Sequence, residues 1–593
     1  MADFRFALAL VVVSLLSASS SAYVTSIHVP AVLVNQNVGD LTLVTLNVTA
    51  GNGGVQVNGP QSVDADTLAS AQTAATYASS FLGLNEKKYN FNYTIMDASL
   101  NVSGPSAGLA FTLLAVSALQ GRQLAQNFTV TGTISGDGSV GLIGGVTDKT
   151  GAAAAKGMHF ILVPYAQNDS EEDLLYYISQ QTYGLPVVEV ANVSQALPYA
   201  YGEKAPVPLS INLTQTFNIG AIGNANITCS ACNISAFAQL SNFTLNLTTD
   251  AISSIGSNFS SAKQQLGANV GNYRQLASDG FLYTAADFSF LTYINAFTLA
   301  NEQNYTSAGA ASLLSNVSSF CSSLVPPPLT TQNYEFVIGG ELRQYWANQT
   351  IANAEQQLTS EQTTDDIIGS ISTAASAMGW CQASAELYSI APYLGGNYVQ
   401  VSPSLRTTAA SAINKARSNG SGLYLQTALQ AYNDGNYAAA LYSATYASTF
   451  SQPVPNESIA QLYAQSQANI ANATSGLWPS QFATQSEFYF RQSLLSKGAN
   501  ETGYADQAYT TALLASGLAA ANSAVNSSFV ISNQPGSAVS QQLVDQISSI
   551  EQSISQIYVL LLVNAFLLFV VLVVLLVHIL PKKNAVHARQ KQR

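Results

Sequence analysis

The spacing of apolar positions changes character about a third of the way along this chain. In the first part, short alternating or wholly apolar runs are interleaved with stretches of helical spacing. Val29 to Val38 and Leu41 to Val48 predict strands, Ala65 to Leu82 a helix, and Asn90 to Met96 a strand leading into a Gly-Pro turn. A helix from Pro105 to Leu119 follows, then a strand from Phe128 to Ile134 and a Gly-punctuated turn ending at Gly145. A helix after Asp148, a strand from His159 to Pro164, a helix from Glu171 to Gln181 and a strand from Val187 to Val190 complete the series. Strands alternating with helices predict an α/β (α+β) domain over residues 23–203.

Residues 204–250 read as a linker and mixed segment: Tyr201 to Pro208 carries the prolines, and Asn212 to Asn246 has some strand-like alternation. From 251 to 556, Ala, Ser, Gln, Tyr and Leu recur at helical spacing, which predicts a mostly α-helical region of hairpins or a bundle. Leu423 to Tyr432 with Tyr437 to Ala447 forms one such hairpin, and Glu487 to Ser496 with Tyr504 to Ala520 another. Gln541 to Ile557 extends the helical pattern as a stalk.

The two ends carry a different pattern. Residues 1–22 have Arg5, an apolar run from Phe6 to Leu16 and small residues up to Ala22, as a cleaved signal peptide does. Within residues 557–580, Tyr558 to Leu580 is apolar enough to predict one C-terminal transmembrane helix. The tail 581–593 holds Lys582, Lys583, Arg589, Lys591 and Arg593, which by the positive-inside rule makes it cytoplasmic. A single-pass protein of the cell membrane, with its N-terminal ectodomain outside, is therefore expected.

Composition fits a surface protein. Charged residues make up 9% of the 593, against roughly 25% in soluble domains generally. The net charge of −12 argues against a nucleic-acid partner, which needs a Lys/Arg patch. N-x-[ST] sequons recur, among them Asn47, Asn92, Asn127, Asn212, Asn242, Asn348 and Asn472, as in a glycoprotein. The four cysteines, Cys229, Cys232, Cys321 and Cys381, favour two structural disulfides over a zinc site, with the pairing open among three connectivities. No metal and no cofactor are expected.

The chemistry concentrates between Asn101 and Pro164. In Gly104-Pro105-Ser106-Ala107-Gly108, Pro105 falls near the first helical position, where its missing N–H costs little. Ser106 then lies among helix-terminal N–H groups that favour negative charge, where a serine can attack a carbonyl and have the oxyanion held. A serine needs a base. The histidines are His28, His159, His578 and His587, the last two at the far C-terminal end, so a Ser-His-Asp triad has little to draw on. Lysine can serve when burial lowers its pKa. Lys149, among Gly, Ala and apolar strands, suits that role, and Ser-Lys pairs are a variant of the same logic.

These residues resemble the proteolytic domain of the Lon family of serine proteases. The resemblance covers about a third of the chain. It rests on Gly-Pro-Ser-Ala-Gly, on Gly144-Gly145-Val146-Thr147-Asp148-Lys149, and on their separation of 149 − 106 = 43 residues. It implies Ser106 as nucleophile and Lys149 as base, with Gly104 and Pro105 shaping the turn and Thr131 hydrogen-bonding the lysine. Asp97 stands where many members have a glutamate. Ser103 and Thr133 stand where the family often has acidic residues.

The expected function is an ATP-independent serine endopeptidase that cuts unfolded or exposed polypeptide outside the cell membrane, since no G-x-x-x-x-G-K-[ST] occurs in the chain. The family's tendency to form rings leaves a homo-oligomer open. The rival expectation is a surface scaffold or binding protein whose protease domain is vestigial or processes only its own chain. The combination looks like an archaeal envelope protein.

Overall fold

The computed structural model describes residues 23–532 apart from 34–37, 60–62, 97–103, 168, 215–216, 228, 230–231, 361–362, 419–421, 472 and 474–475. The expected signal peptide, stalk helix, transmembrane stretch and basic tail lie outside the described residues, as do Asp97, Asn101 and Ser103.

Strands β1 (Tyr23–Leu33) and β2 (Val38–Ala50) form an antiparallel hairpin, in register from Tyr23 opposite Val48 to Leu33 opposite Val38. After β3 (Val55–Asn58) and helix α1 (Ala65–Phe81), β4 (Tyr89–Ile95) pairs antiparallel with β2 and parallel with β3. Helix α2 (Gly108–Gln120) leads through β5 (Phe128–Val130) and the ribbon β6 (Thr133–Ile134) and β7 (Val140–Gly141) to α3 (Val146–Ala155). Then come β8 (Phe160–Pro164), α4 (Ser170–Tyr183), β9 (Val187–Val190) and α5 (Val193–Ala200). The seven-stranded sheet runs β3-β4-β2-β1-β5-β8-β9, parallel from β1 to β9.

Every residue of β8 is buried because helices cover both faces of the sheet there. Phe160 and Leu162 enter the core with α1, α2 and α5, whereas Ile161 and Val163 meet Val146 and Ala153 of α3 and Tyr176 of α4. Helix α2 is buried from Gly108 to Ala118, as a helix apolar all round must be. The Gly104–Gly108 turn is thus fastened to a helix buried along almost its whole length.

The sequence and the structure differ locally. Helix α3 begins at Val146, which puts Lys149 inside its first turns rather than ahead of the helix. Strand β3 escapes sequence reading, being four residues long and half-exposed at alternate positions. The alternation near 234–246 belongs to a helix, Ile234–Ser253, whose Phe237, Leu240, Thr244 and Leu245 recur on one buried face.

The rest of the described chain is mostly helical, with one short antiparallel ribbon of Val399–Val401 against Phe529–Ile531. The hairpin Leu423–Asn433 with Tyr437–Phe450 and the pair Leu477–Leu495 with Ala499–Ser527 pack small Ala against large Tyr, Trp and Phe. Disulfides join Cys229 to Cys232 and Cys321 to Cys381, the second tying the helix Ser307–Ser323 to the helix Thr364–Ile390.

The segment expected to be a linker is stitched down. Gln180 of α4 accepts from Leu209 N–H and donates to Leu209 C=O, both at 2.8 Å. Leu174, Tyr177 and Ile178 of α4 share a core with Phe259, Leu266, Tyr273 and Ile368 of the helical region.

The expected fold class needs one correction. Among the described residues no helix is long and apolar enough to cross a membrane. Helix α2, the most apolar helix of the first domain, has 13 residues, about 20 Å at 1.5 Å per residue, against a hydrocarbon core of about 30 Å. The longer helices carry Ser, Thr, Asn and Gln throughout. The architecture described is therefore an α/β domain followed by a helical region.

Gly39 on β2 lies so close to α3 that an added Cβ would sit 2.2 Å from the Asp148 carbonyl oxygen. Gly39→Ala is expected to push β2 and α3 apart at a cost of about 1–3 kcal/mol, read as a lower midpoint in thermal or denaturant unfolding.

Candidate active site

Two glycines explain why the Gly104–Gly108 turn has its sequence. Gly104 adopts φ 94°, a conformation side chains disfavour. At Gly108 a Cβ would lie 2.7 Å from Ser70 Oγ and 2.8 Å from the Ile134 backbone nitrogen, so the start of α2 can approach α1 and β6 only with glycine there. Between them Pro105–Ala107 makes one 3₁₀ turn, which leaves Ser106 partly exposed at the head of a buried helix.

The turn is held from both sides. Asp64, the N-cap of α1, accepts from Thr67 N–H at 2.7 Å with one carboxylate oxygen and from Gly104 N–H at 2.8 Å with the other. Burial raises the Asp64 carboxyl, but the hydrogen bonds from Thr67 and Gly104 outweigh it and hold the group below its ordinary value. Thr67 Oγ1 donates to Gly104 C=O at 3.1 Å and Ser70 Oγ to Pro105 C=O at 3.2 Å. From the opposite side Gly132 N–H donates to Ser106 C=O at 2.8 Å. The Thr131 hydroxyl also donates to Ser106 C=O, at 3.3 Å. Thr131, expected to hydrogen-bond the lysine, is instead tied to the Ser106 backbone, while Lys149 bonds Gly144.

Lys149 is 4% exposed. Its Nζ donates to Gly144 C=O at 2.9 Å, so the chain preceding α3 folds back over the amine. Gly145, the N-cap of α3, has φ 71° and no side chain with which to cap. Burial pushes the Lys149 amine down to about 8, against the upward pull of the Asp365 and Asp148 carboxylates. A buried amine that ionises near 8 has a lone pair available at neutral to mildly alkaline pH. His159 Nδ1 lies 3.1 Å from Asn127 Nδ2, and His28 belongs to β1, so neither histidine is bonded to the serine.

Sequence reading identified Gly104, Pro105, Ser106 and Thr131, which share the backbone hydrogen bonds of the turn, and Lys149, whose amine bonds Gly144 C=O and makes no hydrogen bond to Ser106. It missed Asp64, Thr67 and Ser70. The Asp-x-x-Thr opening of α1 is a helix-start signal, but its second bond, to Gly104, depends on tertiary structure. It also missed Asp365, which accepts from Val146 N–H at 2.7 Å and Thr147 N–H at 3.0 Å.

Residues 25–201 match the family model of the Lon protease (S16) C-terminal proteolytic domain. The match implies a serine endopeptidase domain. The Lon protease of Lawsonia intracellularis is 26% identical over 176 residues, which are 28% of this chain and 20% of the relative. That of Neorickettsia sennetsu is 28% identical over 188 residues, 30% of this chain and 22% of the relative. The mitochondrial Lon protease homolog of Mus musculus is 30% identical over 138 residues, 22% of this chain and 14% of the relative. The chain therefore spans about a fifth or less of the length of these curated relatives.

Asp64→Ala removes the cap of α1 and the acceptor for Gly104 in one step. It is expected to lower stability by about 1–2 kcal/mol and to reduce kcat more than it raises KM, because the serine turn loosens. Unfolding curves and steady-state kinetics on a peptide substrate read both effects.

Proposed function

We propose that this protein is an ATP-independent serine endopeptidase acting outside the cell on unfolded or exposed polypeptide segments. Ser106 is the nucleophile and Lys149 the base. The observation that carries the reading is the lysine itself: a nearly fully buried amine, lowered to about 8, within a domain matched to the Lon protease proteolytic domain.

Neutral Lys149 keeps an N–H on Gly144 C=O and offers its lone pair to the Ser106 hydroxyl proton. Ser106 Oγ attacks the scissile carbonyl, and the C–O bond forms as the carbonyl becomes an oxyanion. The N–H groups at the head of α2 take up that charge. The ammonium of Lys149 returns the proton to the departing amine as the C–N bond breaks, which leaves an acyl-enzyme. Water, deprotonated by the same amine, hydrolyses it and regenerates the serine.

Two further points support the finer parts of the reading. These 593 residues contain no G-x-x-x-x-G-K-[ST] phosphate loop, which favours independence from ATP. Two disulfides and a charge content of 9% suit an oxidising compartment outside the cytosol.

Unfolded casein incubated with the whole chain without ATP is expected to be cleaved, and Ser106→Ala and Lys149→Ala are each expected to abolish cleavage while keeping the folded circular-dichroism spectrum. Cleavage that survives either substitution rules the dyad out. The working lysine is the deprotonated one, so kcat/KM is expected to rise about tenfold per pH unit below pH 8 and to level off above it. A pH–rate profile between 6 and 10 measures this.

A further inference from the structure

Helix α3 carries the base and lacks a cap of its own. Its N-cap is Gly145, yet its first N–H groups are occupied: Asp365 Oδ2 accepts from Val146 and Asp365 Oδ1 from Thr147. Asp365 lies 219 residues from Val146 in sequence, in the first turn of the helix Thr364–Ile390. That second helix does not need Asp365 for itself, because Thr363 and Asp366 form a complete capping box at its start. The exchange is reciprocal. Asp148, next to the base, accepts from Thr364 N–H at 2.9 Å and from the Thr364 hydroxyl at 2.5 Å.

Two helix N-termini therefore meet head to head, an arrangement that the positive ends of their dipoles disfavour. Asp148, Asp365 and Asp366 bring negative charge to the junction, and Asp148 and Asp365 each bond the opposing helix. On the α3 side the junction is buried, with Thr147, Asp148 and Lys149 1%, 4% and 4% exposed, whereas Asp365 is half-buried. Because Gly39 abuts the Asp148 carbonyl on the other side, the first turn of α3 is fixed between the β1–β2 hairpin and the helical region.

We propose that Asp365 is a positioning residue for the Lys149 base, holding the first turn of α3 from across the domain boundary so that the helical region completes the active site. The proposal rests on the reading of Lys149 as the base. The helical region is then part of the catalytic apparatus, and disturbing the Thr364–Ile390 helix switches the base out of register.

The charge environment makes the role separable from a structural cap. Lys149 feels Asp148 from its own helix and Asp365 from the Thr364–Ile390 helix. Asp366 of that helix acts on Asp148, and Glu172, Tyr176 and Tyr183 of α4 feel Asp365. Lys156 pairs with Asp40 at the far end of α3. Both carboxylates beside Lys149 favour its charged form, so removing one lets the amine lose its proton at lower pH.

The test compares the whole wild-type chain with Asp365→Asn, Asp365→Ala and Asp365→Glu. In Asp365→Ala, hydrogen exchange at Val146 and Thr147 is expected to be roughly tenfold faster and kcat roughly tenfold lower, with KM little changed. Asp365→Asn, which keeps an acceptor without the charge, is expected to restore much of kcat but to shift the acid limb of the pH–rate profile to lower pH. Asp365→Glu is expected to leave that limb nearer its wild-type position. Exchange at Val146 and Thr147 that stays at the wild-type rate in Asp365→Ala overturns the proposal, as does an acid limb that none of the substitutions moves. If the wild type cleaves nothing, the proposed function falls. The clamp is then judged by exchange and by pH-dependent acetylation of Lys149 with acetic anhydride, read by mass spectrometry. An acetylation midpoint lower in Asp365→Asn than in wild type supports it, and an unmoved one overturns it.

Discussion

Burying an ammonium group is costly, and the arrangement around Lys149 follows from how this fold meets that cost. A lysine 4% exposed has to lose its proton readily or be given negative charge and hydrogen-bond acceptors. This chain does both in part. The amine falls to about 8, Gly144 C=O accepts from it, and Asp148 and Asp365 stand near it. Full neutralisation by a tight ion pair would hold the lysine protonated and spoil it as a base, whereas burial without carboxylates would make it too weak a base to carry a proton from serine. Both carboxylates accept from the backbone of the neighbouring helix, Asp148 from Thr364 and Asp365 from Val146 and Thr147. Their charge is shared with helix N-termini and is not committed to the lysine.

The serine side is built on a different principle. Ser106 carries no unusual charge requirement, and its geometry is fixed through backbone hydrogen bonds. Asp64, Thr67, Ser70, Thr131 and Gly132 bond to the peptide groups of residues 104–106. The turn is held by its main chain, which leaves the hydroxyl unencumbered for the proposed role. The two glycines are needed for unlike reasons, Gly104 for its φ of 94° and Gly108 for the close approach to α1 and β6.

What was legible in the sequence divides along the same line. Local signals gave the strand and helix order of residues 23–203 apart from β3, the β6–β7 ribbon and α5, together with the buried run of β8, the apolar α2 and both motifs, because each leaves its mark within a few residues of itself. The groups that fasten the site leave no such mark. Asp64 reads as a helix cap and nothing in its neighbours points to Gly104, while Asp365 looks like an ordinary acidic residue in a helix's first turn. Strand β3 was missed because four half-exposed residues carry too little periodicity. The helix Ile234–Ser253 was obscured by Thr, Phe and Asn, residues with little helical preference, and packing decides its state.

The boundary between the two parts of the chain bears on whether the domain could work alone or release itself by cutting its own linker. Tyr201 to Pro208 has the look of a tether, and a cut there would sever the chain cleanly if nothing else joined the halves. Much else joins them. Gln180 grips both backbone groups of Leu209, and α4 contributes Leu174, Tyr177 and Ile178 to a core completed by the helical region, with the Tyr177 and Phe259 rings 6.1 Å apart. The Asp148 and Asp365 contacts add a second junction, and the Cys321–Cys381 disulfide secures the helix that provides it. Cleavage of the connecting segment would therefore leave the halves associated through apolar burial and paired helix ends. A released proteolytic domain would lose the carboxylate that caps α3. The fold thus favours one packed body over an α/β domain carried on a spacer.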